Sequence, residues 1–256
     1  MLKTFISLCV AISLAGAASA ADAVKPLKAL LVCGGCCHDY PNQKHILSEG
    51  ISARANVEFT IVHEGDDRTN RVSIYEKPGW WKGYDVIVHN ECFGYVDDNK
   101  FVENIAAAQK AGVPAVMLHC STHSYRMAKT DEWRRTLGIS SFSHEKRRDL
   151  DVVTGNPDHP VMKDFPAKWH DAGDELYKNE KVWPNVTALA KAYGVDTKKD
   201  HVCIWLNVVD GTRVFATTLG HSNETMKSDE YQGLVTRGLL WACNKLDDSG
   251  KSAYTK

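Results

Sequence analysis

LKALLVCGGCCHDY, residues 27–40, is the stretch whose reading decides the fold of this chain. Residues 27–32 form an apolar run interrupted only by Lys28, as expected of a strand buried on both faces, and the run stops at Gly34-Gly35, where the backbone can turn tightly. Pro41 suits the first turn of a helix over residues 41–54, which leaves His38 and Asp39 on the loop between strand and helix. In an open parallel sheet such a loop lies at the carboxyl ends of the strands, where ligands bind.

Working outward, residues 56–63 (NVEFTIVH) alternate and are β-branched, residues 84–90 (YDVIVHN) form a third strand, and residues 114–118 a fourth. A helical run over 101–111 follows Asp97-Asp98 and stops at Gly112 and Pro114. Strand and helix alternate with short links, so the fold class is α/β, with a doubly wound and mainly parallel sheet. The second half is less regular. Strands are expected at 149–153, 186–193, 202–208 and 213–219, with an antiparallel turn at 207–211, while residues 155–169 read as turn-rich. A last helix over 228–245 carries Leu234, Leu239, Leu240 and Trp241 for packing on the sheet.

The first twenty residues read as a secretory signal peptide: Lys3, a short apolar stretch over 5–15, and Ala18-Ser19-Ala20 as a small-residue cleavage site. That expectation places the protein in the periplasm or outside the cell, with no stable membrane insertion after cleavage. Residues 21–246 then make one α/β domain, and 247–256 a polar tail. The net charge of −1, with acids and bases interspersed, argues against a nucleic-acid partner and favours a small, weakly charged ligand. Once Cys9 leaves with the signal, Cys33, Cys36, Cys37, Cys92, Cys120, Cys203 and Cys243 remain, an odd set. Cys33, Cys203 and Cys243 lie in apolar runs and read as small buried hydrophobes. Cys37, Cys92 and Cys120 follow strand ends, where they are buried residues, disulfide partners or thiolate ligands.

His38, His89, His119 with His123, and His221 each fall just past an expected strand, and the topology gathers strand ends on one edge. Imidazoles with a carboxylate suit zinc or another divalent transition metal; the same groups can also act as metal-free acids and bases. Gly220 permits a tight turn that aims His221 back at the strand ends. Asp174-Glu175-Leu176-Tyr177 reads on spacing alone as a solvated turn. Cys120 sits at a strand-to-helix elbow with His123 as a possible base, although the elbow lacks the flanking glycines of a nucleophile turn.

Taken together, GG..HDY, the YDVIV strand, the PAVMLH run, Asp158-His159-Pro160, Asp174-Glu175-Leu176-Tyr177, and RVFATTLGH closed by Leu240-Trp241-Ala242 resemble the ThuA-like, trehalose-utilisation family, in order through nearly all of 23–245. The resemblance implies a class I glutamine amidotransferase-like, flavodoxin-like fold without the amidotransferase triad. It also implies a role in the use of disaccharides or oxidised (3-keto) glycosides. Carried over by position, it singles out His38, Asp39, His119, Glu175, Tyr177 and His221. The glycine-rich stretch that many members carry after His119 is here Cys120-Ser121-Thr122-His123, and the vicinal Cys36-Cys37 is a second departure.

The resulting expectation is an exported enzyme that cleaves a sugar derivative by metal-assisted acid–base chemistry. His38, His119, Glu175 and His221 would hold a metal such as zinc, manganese or iron, and no nucleotide cofactor is expected. Asp39 and His123 would carry protons, Tyr177 would contact substrate or leaving group, and Trp80, Trp81 and Phe93 would stack on sugar faces. Two rivals stand beside it: a carbohydrate-binding module without turnover, and a hydrolase that depends on Cys120.

Overall fold

The computed structural model describes residues 24–256, so the expected signal peptide lies outside the described residues. In chain order the strands are β1 (Leu27–Gly35), β2 (Val57–His63), β3 (Val86–Cys92), β4 (Ala115–Leu118), β5 (Ile139–Ser140), β6 (Arg148–Thr154), β7 (Lys168–Asp174), β8 (Lys181–Val182), β9 (Thr187–Gly194), β10 (Lys199–Val209) and β11 (Thr212–Thr217). The helices are α1 (Tyr40–Arg54), α2 (Asn99–Lys110), α3 (Glu132–Leu137), α4 (Asn223–Lys227) and α5 (Asp229–Ala242).

Nine strands form one sheet in the order β2-β1-β3-β4-β11-β10-β9-β6-β7. The first five are parallel and follow the flavodoxin-like 2-1-3-4-5 order, with its switch point between β1 and β3. From β11 onward every pairing is antiparallel. The expected parallel α/β sheet with an antiparallel extension is what forms.

Alternation along each central strand divides the core. Ala29, Leu31, Val88 and Val116 pack with Leu47, Ile51, Leu234 and Leu239 of α1 and α5. Leu30, Val32, Ile87 and Met117 pack with Phe101, Ile105 and Trp133 of α2 and α3. Each such aliphatic side chain contributes about 1.5–3 kcal/mol on burial, which explains why a two-sided strand must read as a near-continuous apolar run. Helix starts follow local chemistry: Pro41 stands in the first turn of α1, the Asp98 carboxylate accepts from the Phe101 N–H at α2, and the Ser228 hydroxyl accepts from the Tyr231 N–H at α5.

Strand β1 ends at Gly35, where the glycine pair is expected to stop it, and the two glycines let neighbouring backbone come close, since a Cβ on Gly35 would lie 2.3 Å from the Cys92 carbonyl oxygen. One sequence expectation is corrected. The end of the segment read as turn-rich is part of β7, whose KWHDAGD sequence offers one large apolar residue, Trp169, and so carries little strand signal. The polar tail packs on the end of α1: the Tyr254 carbonyl accepts the Asn56 N–H at 2.7 Å, and the Lys256 N–H donates to the Arg54 carbonyl.

The antiparallel half does not lie flat. Four strand steps separate β11 from β7, roughly 19 Å at the usual ~4.8 Å spacing. Yet the Asp174 carboxylate at the end of β7 accepts the Gly220 N–H just after β11, at 2.7 Å. The sheet therefore curls until the end of β7 meets the ends of β4 and β11. Among the described residues no helix is long and apolar enough to cross a membrane.

Candidate active site at the parallel strand ends

Each of three histidines is fixed by its own device. His38 sits on the β1–α1 loop, beside the switch point. His119 follows β4 with a left-handed φ of 42°, and its Nδ1 lies 2.6 Å from the Thr218 carbonyl oxygen. A carbonyl only accepts, so Nδ1 carries the proton and the Nε2 lone pair is free. His221 follows Gly220, whose φ of 108° and 2.6 Å approach of a would-be Cβ to Tyr231 Oη both require glycine. Buried Asp174 sets the aim of that turn by accepting the backbone N–H groups of Gly220, His221 and Glu175.

The three rings converge. Their centroids lie 4.6 Å (His38–His119), 5.0 Å (His38–His221) and 5.5 Å (His119–His221) apart, and one nitrogen from each falls within 4.8 Å of the others. Nδ1 of His38 and Nδ1 of His221 are buried without a hydrogen-bond partner. Glu175 faces the group, with carboxylate oxygens 3.7 Å from His119 Nε2, 3.5 Å from His221 Nδ1 and 3.7 Å from His144 Nδ1. Tyr177 Oη lies 3.5 Å from His119 Nε2.

Electrostatics sort these groups by protonation state. Burial, helped by the neighbouring His119 and His221, brings His38 down to about 2; burial also brings His119 down to about 4, against the pull of Glu175. Both are neutral near pH 7. His221 is raised by its pairing with Glu175. Burial alone would raise Glu175, but His221, His119 and His144 outweigh it and bring the carboxyl down to about 2. Burial lifts the Tyr177 phenol well above its ordinary value, so it keeps its proton. Two neutral imidazoles and a third paired with one ionised carboxylate are a donor set that fits a divalent transition metal, which would displace the proton that Glu175 favours on His221.

His38, Glu175 and Tyr177 of this group line a cavity of about 70 Å³, together with Cys36, Cys37, Arg68, Cys92, Cys120, His123, Arg126 and His144. That volume holds about two waters. His144 donates Nδ1–H to the Glu145 carbonyl at 2.7 Å, which leaves its Nε2 lone pair open. The sulfurs on this wall are paired, Cys36 with Cys37 and Cys92 with Cys120. The reading of Cys120 as a free nucleophile is thereby corrected, since its sulfur is bonded to Cys92. Cys33 and Cys203 are free and buried, as their apolar surroundings suggest, and Cys243 is free and partly buried.

A profile of the ThuA family, described as trehalose utilisation, matches residues 28–242. The chain belongs to the ThuA family. Among solved structures, a ThuA-like protein from Parabacteroides merdae matches with a TM-score of 0.67 at 19% identity, over 91% of this chain and 98% of that one. A ThuA-like protein from Bacteroides uniformis matches at 0.63 and 16% identity over the same shares. A GMP synthase component from Thermoplasma acidophilum matches at 0.53 and 12% identity, over 86% of this chain and 96% of that one, which extends the likeness to glutamine amidotransferase-like folds. At these identities the likeness is one of fold. No curated protein matches.

In this ThuA chain the structure brings together His38, His119, Glu175, Tyr177 and His221, sets His123 on the cavity wall beside Tyr177, and leaves the other expected residues elsewhere. Asp39 is exposed, and its carboxylate accepts from Asn42 and Asn223 at 2.7 Å each, which holds its pKa down and makes it a tether for the loop. His123 is buried, stacked 3.9 Å from the Tyr177 ring, with Nε2 2.9 Å from Ser141 Oγ; it orients Tyr177. Trp80 and Phe93 are buried in the core on the α2 side, and Trp80 donates to the Asn104 carbonyl. Trp81 packs edge-on against Trp80. None of the three is available for stacking at the cavity. His89 is fully buried inside β3, bonded to Tyr75 and Glu91, because its strand runs on to Cys92. Sequence reasoning missed His144, Arg68 and Arg126, all on irregular segments where periodicity gives no signal.

Proposed function

We propose that the protein acts on a disaccharide or an oxidised (3-keto) glycoside by metal-assisted acid–base elimination in an exported compartment. One observation carries the reading: three imidazoles from three strand ends bring one nitrogen each within 4.8 Å of the others, with the buried Nδ1 atoms of His38 and His221 unpartnered, and His38 and the ionised Glu175 open on a small cavity. Family membership supports a sugar-utilisation role, and paired sulfurs support export.

His38, His119 and His221, with Glu175, would hold the ion, which supplies when bound a Lewis acid for the oxygen of a carbonyl or an enolate. The chain's own residues do the rest. The Thr218 carbonyl keeps His119 in one tautomer, and Asp174 keeps the His221 turn in place. The open Nε2 of His144, on the cavity wall, is positioned to take the proton beside the substrate carbonyl. Tyr177 retains its proton and can donate it to the departing glycosidic oxygen, with the ring of His123 stacked behind it.

A space of about 70 Å³ admits the reacting end of a sugar and not a disaccharide, so the rest of the ligand lies over the mouth. Two exposed aromatics touch arginines of the cavity wall: Tyr95, beneath the Arg68 guanidinium, and Phe142, whose carbonyl accepts from Arg126. These take over the stacking role expected of Trp80, Trp81 and Phe93.

The test is to incubate the purified protein with a 3-keto-glucoside and with the parent glucoside and follow release of the aglycone. Release from the keto sugar alone, lost in Glu175→Gln and on chelation, is the expected result. Binding of either sugar with no product over many hours would replace this reading with a binding module.

A further inference from the structure

The sulfur-lined wall has its own chemistry, independent of the sugar reading. Four cysteines meet there as two bonded pairs, and Cys36 Sγ of the first lies 3.9 Å from Cys92 Sγ of the second. Cys37 is exposed and Cys36 half-buried, while Cys92 and Cys120 are each 6% exposed. The first pair is therefore the one more open to a thiol from solvent. The Arg68 guanidinium straddles the accessible pair, with Nε 3.4 Å from Cys36 Sγ and Nη2 3.9 Å from Cys37 Sγ. Tyr95 steadies it by a 3.3 Å contact from Nη1 to the phenol oxygen. A bond between adjacent residues closes almost no loop, so the Cys36–Cys37 bond does little to restrict the unfolded chain. Its placement points to reactivity.

We propose that Cys36, Cys37, Cys92 and Cys120 form a two-disulfide exchange centre that accepts two electrons from a dithiol. The first thiolate of the dithiol attacks Cys37 Sγ; the Cys36–Cys37 bond breaks, and the electron pair leaves on Cys36, where Arg68 offsets the developing charge. Cys36 Sγ then attacks Cys92 Sγ; the Cys92–Cys120 bond breaks, and Cys120 leaves with the pair and takes up a proton. The second thiol of the donor attacks its own sulfur bonded to Cys37 and closes the donor disulfide, and Cys37 is released and protonated. The sum is one dithiol oxidised, Cys36 bonded to Cys92, and Cys37 and Cys120 left as thiols. The buried Cys92–Cys120 bond is thereby opened through Cys36 and replaced by Cys36–Cys92, and the wall beside His38 is rewired.

Limiting reduced dithiothreitol added to the purified protein, followed by acid quench, alkylation and peptide mapping, tests this. The expected first product carries alkyl groups on Cys37 and Cys120 and retains a Cys36–Cys92 bond. Alkylation of Cys36 and Cys37 together, with Cys92–Cys120 intact, would overturn the relay. In Cys36→Ser the Cys92–Cys120 bond should open at least a hundredfold more slowly than in the wild type, and an unchanged rate would also overturn it. Arg68→Met should slow the first opening about tenfold while the thermal midpoint stays in place; an equal rate would remove Arg68 from the step.

Discussion

The parallel and antiparallel halves of the sheet contribute to the site in different ways. The parallel half delivers His38 and His119, with His221 just after β11, from the ends of adjacent strands, so topology alone brings them together. The antiparallel half delivers Glu175 and Tyr177 only because it curls until Asp174 bonds to the Gly220 turn. Ligands can thus be gathered by strand order in one half, while the charge that completes the set depends on a long-range contact in the other.

Breaking the parallel half at its tightest point should have the largest effect. Gly35→Ala places a side chain at a φ of 97° and against the Cys92 carbonyl, and should cost at least ~3 kcal/mol, read by denaturant unfolding. Breaking the antiparallel contribution should instead spare stability and remove function. Glu175→Gln is expected to lower turnover by about a hundredfold or more with a thermal midpoint near wild type.

The joint between the halves should show a mixture of the two. Asp174→Asn weakens three charge-assisted bonds and should cost ~2 kcal/mol along with ligand affinity, measured by unfolding and by metal titration. Nearby Asp171 is raised to about 8 by burial and by the charge of Asp174. Its native form keeps a proton that the unfolded chain sheds near pH 4. The stability it contributes is full below that pH and is lost as pH rises through about 8. Scanning calorimetry should show the midpoint falling between about pH 4 and 8 and levelling above that, and Asp171→Asn should flatten that slope. The smallest effect belongs to Asp39→Asn, which changes a loop tether outside the cavity and should leave turnover within about twofold and stability within ~0.5 kcal/mol.

The same contrast governs what could be read in advance. Leu27 to Val32 announced a central strand because burial on both faces demands a near-continuous apolar run, and the order of the parallel strands followed. His38, His119 and His221 were visible because they stop such runs. β7 was not, since a strand at the curled margin needs few apolar residues, and Asp174-Glu175 looked like a solvated turn although Asp174 is fully buried. Glu175 and Tyr177 were marked by family resemblance, and their approach to His119 is a tertiary fact. Trp80 and Phe93 misled because an aromatic near a strand end can point either way, and here both fill the α2-side core.

The decisive measurement is the metal content of the purified wild-type protein beside His38→Ala, His221→Ala and Glu175→Gln, after incubation with zinc, manganese and iron in turn and removal of the excess. A site shared by the two halves should retain about one equivalent of one of these metals, lost in both histidine variants and weakened at least tenfold in Glu175→Gln. A wild-type protein that stays empty with all three, or one whose metal is indifferent to these substitutions, would contradict it.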